Sequence, residues 1–127
     1  MKPETTEWVQ KAEGDMNTAQ REFAVQEEPN HDAVCFHAQQ CAEKYLKARL
    51  VEAGLPVTRT HDLEILLNQL LPLEPELVDL LQSVRILSAM AVEVRYPGIA
   101  ADEDDAAEAL RSSEKIRNAI RATILAN

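Results

Sequence analysis

The chain has 127 residues, of which 46% are hydrophobic and 28% charged, and its formal net charge is −9 at pH 7. That length suits one domain, residues 1–127, with a real core rather than two. The negative charge disfavours broad nucleic-acid binding, and no run of about 18 uncharged apolar residues offers a membrane span. Met1-Lys2-Pro3-Glu4 opens no apolar signal region, so the expectation is a soluble, cytoplasmic protein. Three glycines, five aromatics and abundant Ala, Glu and Leu point to an all-α fold.

From about Thr5 to Gln26, Trp8, Ala12, Met16, Ala19 and Phe23 recur at helical spacing and predict a first amphipathic helix. Gly14 weakens it by roughly 1 kcal/mol relative to Ala, and close packing is the expected reason for it. After Pro29-Asn30, a second helix is predicted from about His31 to Ala53. Its buried stripe is Val34, Ala38, Cys41, Tyr45 and Ala48, with Gly54 as the stop signal. Thr60 is a candidate cap for a short third helix, with Leu63, Leu66, Leu67 and Leu70 inward and Pro72 and Pro75 at its end.

A fourth helix is predicted from about Glu76 to Arg95, with Leu77, Leu80, Val84, Leu87, Ala91 and Val94 facing inward, stopped by Pro97-Gly98. The last runs from about Glu103 to Leu125 on Ala106, Leu110, Ser113, Ile116, Ile120 and Ile124. The acidic run Asp102 to Asp105 suits its N-terminus, and Lys115, Arg117 and Arg121 its far end. The expected architecture is an antiparallel up-and-down bundle of four long helices plus one short helix. Cys35 and Cys41 share one helix without facing each other and read as buried thiols in a reducing compartment.

Three stretches carry candidate chemistry. In Phe36-His37-Ala38-Gln39-Gln40-Cys41-Ala42-Glu43-Lys44-Tyr45-Leu46-Lys47-Ala48, residues Gln40, Glu43, Lys44 and Lys47 line one side of a helix. The lysines suit phosphate, and Gln40 offers donor and acceptor to a base or ribose. His37, one turn earlier, can stack or hydrogen-bond. Alternatively, Glu43 and Lys47 form an ordinary exposed i,i+4 pair. His61, in Thr60-His61-Asp62-Leu63, sits where helix N–H groups can receive an anion, with Arg59 nearby, or belongs to simple capping. Arg95, in Arg95-Tyr96-Pro97, suits either a ligand or the negative end of the helix dipole. His37 and Cys41 are i,i+4 neighbours, but a zinc site needs two further ligands, so no metal or other cofactor is expected. No nucleophile motif or glycine-rich phosphate loop appears.

Together these stretches resemble the HEPN family of small helical domains, over nearly the whole chain. Phe36, Gln40, Glu43, Lys44, Lys47 and Ala48 match the family's recurring core, Thr60-His61-Asp62-Leu63 is similar to its second motif, and Arg95 matches its arginine. In nuclease members that arginine is followed by a histidine after four to six intervening residues. Here those positions hold Ala100, Ala101 and Asp102, none of which replaces imidazole in proton transfer. The resemblance therefore implies a nucleotide-binding domain without independent catalysis. Its implied partner is a minimal nucleotidyltransferase in a two-component, toxin–antitoxin-like system, and its implied oligomer a homodimer. The implied ligand is an ATP- or GTP-class nucleotide, held by Gln40, Lys44, Lys47, His61 and Arg95 with His37, Glu43 and Tyr96 in support. The alternatives are an unconventional ribonuclease using Arg95 without the motif, or a purely structural interaction module.

Overall fold

The structure is a computed structural model that describes residues 1–93 and 96–126. Five α-helices succeed one another: α1 (Pro3–Phe23), α2 (His31–Glu52), α3 (Leu63–Leu70), α4 (Leu81–Glu93) and α5 (Glu103–Leu125). The described residues include no strand. The fold is all-α, as the composition indicates.

Local chemistry explains the helix ends. Asn30 caps α2 by accepting from Ala33 N. At its other end Gly54 takes φ 73°, while Gly54 N and Leu55 N donate to the carbonyls of Val51 and Leu50. That pair of reversed bonds uses the positive φ a glycine tolerates and satisfies two otherwise orphaned carbonyls. Asp102 and Asp105 close a reciprocal capping box on α5.

Two elements differ from the sequence expectation. Thr60 does not cap α3. Asp62 does, accepting from Glu64 N and Ile65 N, while the Thr60 hydroxyl accepts from Asp62 N one step upstream. The carboxylate reaches two helix N–H groups and is the stronger partner for a helix start. The fourth helix is also not α-helical from Glu76. Pro75–Leu80 form a 3₁₀ turn, and the α-helix begins at Leu81. Leu77 and Leu80 are buried in both descriptions, because a spacing of three serves either helix type.

α1 and α5 run antiparallel, with Glu13 bonded to Arg117 and Gln20 to Glu114. α2 and α5 run parallel, since Asp32 meets Ala101, Ser113 meets Ala38 and Arg121 meets Tyr45. This is the alternation of an up-and-down bundle. α2 touches all four other helices. Its predicted stripe is buried, and so are Cys35, Ala42, Leu46 and Leu50 on its other sides. A helix enclosed this way has little surface to spend on solvated charge, so polar residues in its middle must find protein partners. That condition shapes the site.

Candidate functional site

Gln40, Glu43, Lys44 and Lys47 do share one arc of α2, but the neighbouring elements divide it. Lys44 Nζ donates to Asp15 Oδ2 of α1 at 2.5 Å, and His37 Nδ1 lies 2.8 Å from Asp15 Oδ1. Lys47 instead donates to Glu43 Oε2 at 3.0 Å and lies 5.5 Å from the centre of the Trp8 ring. Glu43 is only 3% exposed and Lys47 7%. The pair is therefore buried, in contrast to the exposed pair considered from spacing. Both lysines have a carboxylate partner within the fold.

The other oxygen of Glu43 carries the second link. Glu43 Oε1 lies 2.9 Å from His61 Nδ1, and Gln39 Nε2 donates to the His61 carbonyl at 3.2 Å. His61 is thus held by ring and backbone, while 76% of its side chain remains exposed. It precedes α3 and stands outside the helix. The first-turn N–H groups of Glu64 and Ile65 already bond Asp62, which leaves the His61 ring as the group on offer.

Beside these residues lies a cleft of about 630 Å³ lined by Asn30, Asp32, Phe36, Gln39, Gln40 and His61, with Ala33 and, from α4, Ala91. Phe36 and Gln40 stand one helical turn apart, and Phe36 is 53% exposed. Gln40 Nε2 donates to Gln39 Oε1 at 2.9 Å. The lining includes the Asp32 carboxylate, which accepts from Ala101 N, and no lysine or arginine among the described residues. Of the sequence candidates, Gln40 and His61 line the cleft directly. Glu43 supports His61 from behind, and Lys47 supports Glu43. His37 and Lys44 meet at Asp15, outside the lining. Tyr96 is exposed, and Arg95 lies outside the described residues.

A third polar cluster escaped the sequence reading. Arg117 binds Glu13 through two bonds of 2.7 Å, and Tyr45 donates to Glu13 Oε2 at 2.6 Å. Arg121 lies 3.3 Å from the Tyr45 hydroxyl. The Arg117 hydrogen bonds hold the Glu13 carboxyl down at about 2, against the opposing effect of burial. Burial, followed by the Glu13 bond, pushes the Tyr45 hydroxyl up to about 12. This cluster ties α1, α2 and α5 together. A buried pair between Arg49 and Glu74 does the same for α2 and the 3₁₀ turn. Tyr45 on the buried stripe was the one signal for such a cluster, since a buried phenol seeks a polar partner. Among the described residues no group of three or more His, Cys, Asp or Glu side chains is placed to hold a metal ion.

Comparison with known proteins agrees with this architecture. The crystal structure of an archaeal HEPN homologue superposes with a TM-score of 0.75 at 27% sequence identity, covering 98% of this chain and 99% of that one. None of the curated proteins matches the chain. The family model for the HEPN domain matches residues 5–123. On that match, and with the helical fold it accompanies, the chain belongs to the HEPN domain family.

Proposed function

We propose that this HEPN domain is a nucleotide-binding module, without catalysis of its own, acting beside a minimal nucleotidyltransferase in a two-component, toxin–antitoxin-like pair. The observation that carries the reading is the cleft wall, where an exposed aromatic, Phe36, stands beside Gln40 and the tethered ring of His61. Its volume falls within the range of about 300–1,000 Å³ usual for small-molecule sites. An aromatic face suits a base, and an amide with an imidazole suits its polar edge or the ribose.

In this reading Gln40 and His61 touch the ligand, and Glu43, Lys47, Lys44 and His37 act behind them through their ion pairs. Arg95 and Tyr96 belong to the set on the family resemblance alone. The proposed molecule is a cytoplasmic homodimer, as membership of the family suggests. The missing histidine after Arg95 argues against a ribonuclease of the motif type.

Calorimetric titration with ATP and GTP tests the reading, using Gln40→Ala and His61→Ala as controls. Saturable binding weakened about tenfold or more in each variant is the expected result, the cost of leaving a bound polar group unpaired. No binding at millimolar nucleotide, or binding indifferent to both substitutions, would overturn it.

A further inference from the structure

The donor and acceptor polarity of the cleft wall is fixed from behind. The His61 carbonyl and the Glu43 carboxylate only accept hydrogen bonds. Gln39 Nε2 faces both, at 3.2 and 3.5 Å, so the Gln39 amide must present its NH₂ group to them. Its carbonyl oxygen therefore points the other way, where it accepts from Gln40 Nε2 at 2.9 Å. That bond orients Gln40 in turn. Its Nε2 is drawn toward Gln39, and its Oε1 accepts from no described residue. The second amide hydrogen of Gln40 is not used by that bond. A solitary glutamine can rotate its amide to read either of two complementary edges, whereas Gln40 is locked in one orientation by a relay that ends on a backbone carbonyl. Gln39 is 5% exposed, so solvent does not compete for the relay.

The same logic applies to His61. Its Nδ1 must donate to Glu43 Oε1, which leaves Nε2 as the ring nitrogen not engaged by Glu43. Gln40 and His61 both line the cleft.

We infer that the cleft selects bases carrying an exocyclic amine next to an unprotonated ring nitrogen, as adenine and cytosine do, over their oxo counterparts. This rests on the nucleotide-binding reading and names its ligand class. The amine donates to Gln40 Oε1, and the adjacent ring nitrogen accepts the remaining Gln40 amide hydrogen. In hypoxanthine and uracil the amine is replaced by a carbonyl and the ring nitrogen carries a proton, so both partners are reversed. Such a base sets oxygen against oxygen and N–H against N–H, and sites built on hydrogen-bond complementarity reject this mismatch strongly. Gln40 is the specificity-determining residue and Gln39 a positioning residue.

The test compares AMP with IMP, and CMP with UMP, by titration at pH 8 on the full chain. The expected result is preference for the amino member of each pair by about tenfold or more. In Gln39→Leu, which preserves side-chain bulk but frees the Gln40 amide to turn, IMP and AMP should bind within about threefold of each other. Gln40→Leu, at a half-buried position that tolerates the change, should likewise erase the preference. Equal affinity for AMP and IMP in the unaltered protein would overturn the inference while leaving nucleotide binding intact. So would discrimination that survives both substitutions. Failure of all four nucleotides to bind would overturn the nucleotide-binding reading itself.

Discussion

Glu43 and Lys47 are joined by a 3.0 Å ion pair one turn apart on the enclosed helix α2, with Trp8 beside the lysine and His61 on the carboxylate's other oxygen. Taking away one partner leaves the other charged and buried. Lys47→Ala should therefore destabilise the protein by about 3 kcal/mol or more, whereas Lys44→Ala, at a more exposed pair, should cost about 1 kcal/mol. Urea unfolding monitored by circular dichroism distinguishes them. Equal, small losses would contradict the burial argument.

Glu13 makes stability depend on acid. Its carboxyl is held down at about 2 by the Arg117 hydrogen bonds, against an ordinary value of 4.5. A depressed carboxyl contributes stability that is complete above its unfolded value and lost as pH falls through its folded one. That contribution should fade from about pH 4.5 down to about pH 2. Glu13→Gln should lower the melting temperature at pH 7 and converge on the unaltered protein near pH 2. A gap that stays constant with pH would contradict the assignment.

Much of the bundle was legible because helical periodicity is a local signal. Ala106, Leu110, Ser113, Ile116, Ile120 and Ile124 are all buried as their spacing requires, and α5 begins at Glu103 behind its acidic cap. The 3₁₀ turn at Pro75–Leu80 was not legible, since a spacing of three marks the inner face of either helix. The site was legible only in part. Gln40 and His61 could be picked out from the residues and the family resemblance. The division of the Gln40 to Lys47 row depends on Asp15, 29 positions before Lys44, and on the enclosure of α2, neither of which leaves a trace in local spacing. Gln39 went unnoticed for the same reason, because its role comes from its two neighbours.

Gly14 lies in the interior of α1, exposed, and an added Cβ there meets nothing within 4 Å. Close packing therefore does not explain it. Gly14→Ala should stabilise the protein by about 0.5–1 kcal/mol through helix propensity. Thermal or urea unfolding measures the gain, and a loss of stability would show that the residue has a packing role after all.

Burial pushes the Cys35 thiol up to about 11 and the Cys41 thiol up to about 12. Neither should supply a reactive thiolate at pH 8. A disulfide exchange reagent should leave both unmodified in the folded protein for hours and titrate both at once in denaturant. Rapid labelling of the native protein would contradict their enclosure in the core.

The most direct test of the nucleotide cleft is to follow the Gln40 side-chain amide and the His61 imidazole by NMR while AMP is added. The account predicts saturable shifts of both groups with one dissociation constant, together with shifts of neighbouring Phe36. Saturable shifts confined to residues away from the cleft, or no shifts at millimolar AMP, would contradict it.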